Sequence, residues 1–311
     1  MEELVLIDGN SLLFKAFYAT SYTGNYMVNR NGIPTNGVYG FARMVEKIIS
    51  TNPKYVIVAF DCAKKTLRNE FQPIFYDDLL NYDYGKITLY NHLMDFSVFC
   101  RRPSPDELIP QLFLAREYLT AHNITWYDVE GFGAYDTIGT LVNFGEKNNM
   151  NVSIFTGDKY AYQLISSQTN IYRTVKGVTE LRVYDEQNFF DQFGLKPNQI
   201  NDFLGLMGDG SEKFPGIKGV GEKTALKFLR KYETLEGIKD HQDELKSKMG
   251  EKIKIGIENA LKFKKAATIR RDVPLDVDLK NVEYNGYDYE TLKLFFEEND
   301  MESLVKTITI Q

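Results

Sequence analysis

Three aspartates stand at the ends of apolar runs. Asp8 follows Leu4-Val5-Leu6-Ile7, Asp61 follows the run Tyr55 to Phe60, and Asp158 follows Val152 to Phe155 by way of Thr156-Gly157. Short, continuous apolar runs read as strands buried on both faces. In an open parallel sheet, ligands bind beyond the carboxyl ends of the strands, so the three carboxylates are expected to converge there. Like charges held close together ionise jointly only when a cation neutralises them. All-oxygen ligands suit Mg²⁺ or Mn²⁺. The alternative is that each aspartate caps the helix after it, a common use of this residue.

A second segment points to phosphate chemistry. It runs Gly208-Asp209-Gly210-Ser211-Glu212-Lys213-Phe214-Pro215-Gly216-Ile217-Lys218-Gly219-Val220-Gly221-Glu222-Lys223-Thr224-Ala225. Two glycines flanking one apolar residue, ahead of a helix start, make a tight turn with backbone N–H groups at a helix N-terminus, where a phosphate binds well. Lys218, Lys223, Lys227 and Arg230 surround it with positive charge. The alternative here is a plain helical hairpin with solvated lysines.

The elements that must position these residues alternate in the first half. After the first strand, Ser11 to Tyr18 has helical spacing, and Asn36 to Ile49 forms an amphipathic helix with Asn36 as its cap. A helix opens at Pro105-Asp106-Glu107 and runs to about His122. Ile124 to Val129 is a third strand, Ala134 to Glu146 a helix, and Val152 to Phe155 a fourth strand. This rhythm predicts an α/β fold, a parallel twisted sheet flanked by helices. The second half reads as mostly helical, with Pro197 to Met207 amphipathic and Glu251 to Lys265 a basic helix whose charge reads as a solvated face. The junction is placed near residue 185, giving domains 1–185 and 186–311.

Composition bounds the rest. The 311 residues carry 37 Lys+Arg against 43 Asp+Glu, a net charge of −6, which argues against a sequence-blind nucleic-acid binder although net charge hides patches. Hydrophobic content of 43% supports a real core. Two cysteines, Cys62 and Cys100, exclude a disulfide framework, and three histidines leave little for a His-based metal site. Cys62, beside Asp61, reads as a small core residue. No apolar run reaches the roughly 20 residues of a membrane span. The start Met1-Glu2-Glu3-Leu4 leads straight into a strand, so a signal peptide is not expected and the cytoplasm is the expected location.

The residues resemble the 5′-nuclease family of 5′→3′ exonucleases and flap endonucleases, in its stand-alone form. The resemblance is carried by Leu6-Ile7-Asp8-Gly9-Asn10-Ser11, Gly32-Ile33-Pro34-Thr35-Asn36-Gly37-Val38-Tyr39-Gly40-Phe41, Val58-Ala59-Phe60-Asp61, Arg68, Pro105-Asp106-Glu107-Leu108, Ile138-Gly139-Thr140-Leu141, Thr156-Gly157-Asp158-Lys159 and the Gly208 to Ala225 run. It implies a PIN-like α/β nuclease domain with an arch or insert at about 62–105. It also implies a helical DNA-binding domain with a helix-three-turn-helix element that grips duplex DNA by its backbone. Clustered carboxylates would hold two divalent metals, Mg²⁺ or Mn²⁺, for phosphodiester hydrolysis. A monovalent ion such as K⁺ would sit at the helix-three-turn-helix. The retained acids are Asp8, Asp61, Asp136, Asp158, Asp209 and Glu212, and Arg68 joins Asp8, Asp61, Asp136 and Asp158 as expected catalytic residues. Expected DNA contacts are Lys64, Lys65, Arg101, Arg102, Lys218, Gly219, Gly221, Lys223, Thr224 and Lys227.

The chain also departs from that family. Where it has Glu-Ala-Asp-Asp, this chain has Gly133-Ala134-Tyr135-Asp136. Where it has Thr-Gly-Asp-Lys-Asp, this chain has Thr156-Gly157-Asp158-Lys159-Tyr160. Three carboxylates are therefore lost, at Gly133, Tyr135 and Tyr160. Where the family has Gly-Asp-Ser-Ser-Asp-Asn, Glu212 and Lys213 now follow Asp209-Gly210-Ser211. A phenol with an ordinary pKa of about 10 is neutral at pH 7 and a poor Mg²⁺ ligand. Around residues 79–100 lies an aromatic-rich insert with Tyr82, Tyr84, Tyr90, Phe96 and Phe99, and Val98 stands where the family has a lysine. Aromatics stack on single-stranded bases or pack against the body or a protein partner. Three readings follow. They are a weakened metal-dependent 5′-nuclease, an inactive protein binding branched or 5′-ended DNA, and a scaffold working through the insert.

Overall fold

Val, Ile, Phe and Tyr fill the apolar runs, and these pair as a six-stranded sheet. Its strands are β1 (Glu3–Asp8), β2 (Tyr55–Phe60), β3 (Thr125–Asp128), β4 (Asn151–Thr156), β5 (Thr169–Lys176) and β6 (Glu180–Tyr184). The computed structural model describes residues 1–21, 27–61, 107–210 and 214–309. Cys62, Lys64, Lys65, Arg68, the insert at 79–100, Arg101, Arg102, Pro105, Asp106, Glu212 and Lys213 lie outside the described residues.

The strand order is β3-β2-β1-β4-β5-β6. Pairing is parallel from β3 through β5, and β6 returns antiparallel on β5. Register sets Asp8 opposite Ala59 and Ile7 opposite Phe155, so β1, β2 and β4 end level with one another. The chain leaves β1 for β2 on one side and later returns to β4 on the other. That reversal opens a crevice at the carboxyl ends of the strands.

Successive side chains on a strand point to opposite faces. Leu4, Leu6, Ile57, Ala59, Val152 and Ile154 therefore enter one core, with the helix Ala134–Lys147 and the helices of the second half. Val5, Ile7, Val56, Val58, Phe60 and Phe155 enter the other, with the helices Gly9–Thr20, Asn36–Ile49 and Ile109–Ala121. The hairpin β5–β6 and the 3₁₀ helix Lys159–Leu164 were not anticipated from the sequence. In β5, Asn170, Arg173, Thr174 and Lys176 interrupt the apolar pattern, because this strand is only partly covered. The segment Pro197 to Met207 splits into a 3₁₀ turn, Pro197–Gln199, and the helix Ile200–Met207. Beyond it lie the helices Glu222–Tyr232, Leu235–Asp240 and Lys248–Ala267. Among the described residues no helix is long and apolar enough to cross a membrane.

One cap differs from expectation. Asn36 is the first residue of its helix, not its cap, and Thr35 at the cap position makes no side-chain bond. Gln111, fully buried on the helix Ile109–Ala121, does that work from outside. Its Oε1 accepts from Gly37 N at 2.6 Å and Val38 N at 3.1 Å, and its Nε2 donates to Asn36 Oδ1 at 3.0 Å. The chain beyond residue 283 returns to the same face of the sheet. Tyr284 N donates to Lys54 O at 2.8 Å, and Leu292, Phe295, Phe296, Met301 and Leu304 join the core around the helix Asn36–Ile49. Buried His122 is held there between Glu46 Oε1 at 2.9 Å and the Tyr284 hydroxyl at 3.1 Å.

Replacing Gln111 with leucine leaves two N–H groups and the Asn36 carbonyl unpaired in a dry setting. The expected loss is about 2–4 kcal/mol, by a cost of about 1–3 kcal/mol for each unsatisfied buried group partly offset by the added apolar volume. Thermal unfolding reads it as a fall in Tm of several degrees. An unchanged Tm would show that this cap is dispensable.

Candidate metal centre and nucleic-acid interface

Each of the three strand-end aspartates caps a helical start. Asp8 precedes the helix Gly9–Thr20 and its Oδ1 accepts from Ser11 N at 3.0 Å. Asp158 precedes the 3₁₀ helix and its Oδ1 accepts from Tyr160 N at 2.9 Å. Asp61 Oδ1 accepts from Ala134 N at 2.8 Å, at the start of the helix Ala134–Lys147 that follows Gly133. Capping and convergence turn out to be compatible. The charge of Asp61 acts on Asp8, and both Asp8 and Asp158 act on the phenol of Tyr135.

Tyr135 stands at the centre. Its hydroxyl donates to Asp8 Oδ2 at 2.6 Å and lies 3.3 Å from Thr156 Oγ1. Thr156 Oγ1 also donates to Asp8 Oδ2 at 2.7 Å and accepts from Asp158 N at 3.1 Å. Both oxygens of Asp8 are thus bonded to protein donors. Burial pushes the Asp8 carboxyl up to about 6, against the bonds from Tyr135, Ser11 and Thr156, which favour its ionised form. Burial, together with the charges of Asp158 and Asp8, pushes the Tyr135 phenol well above its ordinary value, so it stays a donor.

A second arrangement encloses Asp209, which is buried at the end of the helix Ile200–Met207. Lys159 Nζ pairs with its Oδ1 at 2.8 Å, and the Tyr160 hydroxyl donates to its Oδ2. Paired N–H···O bonds with Phe214, both 2.8 Å, fix the Asp209 backbone. Asp136, in the first turn of its helix, accepts from Arg270 N at 2.9 Å through Oδ1, while the Arg270 guanidinium pairs with Asp272 at 2.9 Å. That bond ties the nuclease-like layer to the chain that follows the helix Lys248–Ala267. At Gly133 a Cβ would stand 3.3 Å from Asp61 Oδ1, so a longer side chain there would reach that carboxylate.

Among the described residues no three Asp, Glu, His or Cys side chains group so as to hold a metal ion. Of the expected ligands, Asp8, Asp61, Asp136, Asp158 and Asp209 lie within the described residues and Glu212 lies outside them. Each of these five carboxylates accepts at least one bond from a protein donor, and in Asp8 and Asp209 both oxygens do.

A glycine turn precedes the helix Glu222–Tyr232. Gly216 and Gly219 have φ of 63° and 85°, where other residues are strained. Ile217 N donates to Leu206 O, anchoring the turn on the helix Ile200–Met207. Gly221 stands at the cap position of the helix Glu222–Tyr232 with no side-chain cap bond, and Thr224 N and Ala225 N donate to its carbonyl. Lys218, Gly219, Gly221, Lys223 and Lys227 are exposed and Thr224 half-buried. The ammonium of Lys252 completes the rim, since a Cβ on Gly219 would stand 3.2 Å from it. Sequence reasoning missed Lys252, Lys159, Thr156, Gln111 and Arg270. Of these only Thr156 and Lys159, the two ends of the Thr156-Gly157-Asp158-Lys159 run, carried a motif signal.

The chain matches two family models in succession. The 5′-3′ exonuclease N-terminal resolvase-like domain covers residues 3–194, and the 5′-3′ exonuclease C-terminal SAM fold covers residues 195–290. It is 34% identical over 280 residues to a 5′-3′ exonuclease of Bacillus subtilis, covering 90% of this chain and 87% of that protein. It is 35% identical over 309 residues to DNA polymerase I of the same organism, covering 99% of this chain and 32% of that protein. The chain thus spans about a third of the length of its DNA polymerase I relatives. Its fold is that of the bacteriophage T5 D15 protein co-crystallised with metal ions, at a TM-score of 0.64 and 16% identity over 98% of this chain and 100% of that one. The catalytic core of Rad2 in complex with DNA substrate aligns at a TM-score of 0.61 and 14% identity, over 96% of this chain and 88% of that one.

Titration checks the buried Asp8. Between its unfolded value of 3.8 and its folded value of about 6, the folded chain holds a proton that the unfolded chain has released. Its contribution to stability therefore falls as pH rises through that window, by about 3 kcal/mol in all, from 1.36 kcal/mol per unit. The stability of the wild type relative to Asp8→Asn is expected to fall between pH 4 and pH 7. Denaturant unfolding at both pH values measures it, and a constant difference would contradict the burial of this charge.

Proposed function

The chain belongs to the 5′-3′ exonuclease family, and from that premise we propose that it grips 5′-ended or branched duplex DNA by its phosphates while its own phosphodiester hydrolysis is suppressed. The observation that carries the second half is the pair of carboxylates, Asp8 and Asp209, whose oxygens are taken up by Tyr135, Thr156, Ser11, Tyr160 and Lys159. Hydrolysis by two metal ions needs both ions placed by anionic ligands, and at Asp8 and Asp209 protein donors occupy oxygens that would serve as ligands.

The grip rests on a different part of the chain. The Gly216 to Thr224 turn presents backbone N–H groups at a helix start, ringed by Lys218, Lys223, Lys227 and Lys252. None of these four lysines makes an ion pair with a described residue, so their charge faces solvent. Backbone contacts of this kind fix the register on a duplex without reading bases. A K⁺ ion bridging turn and phosphate belongs to the same proposal. Replacing K⁺ by a bulky tetraalkylammonium at equal ionic strength would then weaken binding.

Lys223→Glu is expected to weaken binding to flap duplexes of unrelated sequence by a common factor of about ten and to lower the slope of log Kd against log salt by about 1. Fluorescence anisotropy with a labelled 5′-flap duplex over a salt series measures both. Unchanged affinity in this variant would remove the turn from the DNA interface.

A further inference from the structure

We propose that Tyr135 and Tyr160 take the place of divalent ions, their phenolic O–H groups closing the carboxylate cluster so that the chain folds and holds DNA with no bound divalent metal. The inference rests on the family reading above and deepens it, but its test reads the free protein and fails separately from DNA binding.

Both tyrosines stand where the resembled family carries a carboxylate, and each aims its hydroxyl at a retained one. Tyr135 reaches Asp8 Oδ2 at 2.6 Å, and Tyr160 reaches Asp209 Oδ2. Exchanging a carboxylate for a phenol does two things at once. It removes a negative charge from a crowded site, and it supplies a hydrogen-bond donor to the acid that remains. An acid-lined site that loses its ions must either protonate or find donors. Here the donors are present. Asp8 also receives Thr156 Oγ1 and Ser11 N, and Asp209 receives the Lys159 ammonium. Gly133 acts in the same sense by subtraction, because the Asp61 oxygen that a longer acid there would approach is bonded to Ala134 N. A divalent ion entering either cluster would compete with these buried donors for the carboxylate oxygens. The two clusters lie on different elements, β1 and the end of the helix Ile200–Met207, and are closed by the same device.

The experiment titrates MnCl₂ into the full chain stripped with EDTA, with free Mn²⁺ followed by electron paramagnetic resonance and thermal unfolding recorded in parallel. The expected result is a free-Mn²⁺ signal equal to the amount added, and a Tm that agrees in EDTA and in Mn²⁺ to within about 1 °C. An ion bound at about a hundred times its Kd would instead raise Tm by several degrees. Stoichiometric loss of the Mn²⁺ signal, or such a rise, would overturn the proposal.

The triple variant Gly133→Glu, Tyr135→Asp, Tyr160→Asp is expected to melt lower in EDTA and to recover with Mn²⁺. Recovery by Mn²⁺ supports the exchange of ion for phenol, and a folded variant indifferent to Mn²⁺ overturns it. Should that variant fail to fold, Tyr135→Phe and Tyr160→Phe decide. Each keeps the ring and removes only the donor, and each is expected to lower Tm. Two unchanged melting curves would show that the phenols do not hold the carboxylates.

Discussion

A buried carboxylate needs partners, and that constraint at Asp8 organises the centre of this molecule. Asp8 ends the middle strand of a parallel sheet, where register with β2 and β4 brings other acids level with it. Water does not reach it, and burial alone pushes its carboxyl toward the neutral form. Three donors from three elements answer this. Ser11 comes from the following helix, Thr156 from the end of β4, and Tyr135 from the helix beyond β3. The same bonds that satisfy Asp8 therefore pin two neighbouring elements against β1. Breaking one loosens an interface as well as a side chain.

The second half of the chain repeats this logic at Asp209 and adds a different surface. Lys159 and Tyr160 reach across from the end of β4 to Asp209, so the carboxyl edge of the sheet and the start of the glycine turn share one polar contact. Asp136 makes a further tie through Arg270 N. Beyond these ties the turn is open, with glycines where backbone must approach a ligand and lysines whose charge is unspent within the described chain. Asp8 and Asp209 are thus bonded within the chain, while Lys218, Lys223 and Lys227 are exposed.

Much of this is legible in the sequence. β1, β2 and β4 follow from uninterrupted apolar runs, because they are covered on both faces and need no alternation, whereas β3 is half-buried at Thr125, Trp126 and Tyr127 and exposed at Asp128. The glycine turn is legible because positive φ at Gly216 and Gly219 leaves few other residues possible. The hairpin β5–β6 is not, since a partly covered strand carries mixed residues such as Asn170 and Arg173 without a period that stands out. The helix cap supplied by Gln111 is not legible either, for it comes from 74 residues away in sequence. At the site, the absent carboxylates at Gly133, Tyr135 and Tyr160 can be read directly against the family pattern. What replaces them cannot. That the phenols point inward to Asp8 and Asp209, and that Thr156 Oγ1 links the Asp8 carboxylate to the backbone N–H of Asp158, depends on strand register and on where the 3₁₀ helix begins.

We propose that this chain retains a grip on DNA while the chemistry at the strand ends is closed off. The most direct measurement follows binding and cleavage of one labelled 5′-flap duplex in parallel, in EDTA and in excess Mn²⁺, beside an Asp158→Ala control. The account predicts the same affinity in both conditions and an intact strand in each. Cleavage that appears with Mn²⁺ and vanishes in the control would contradict it.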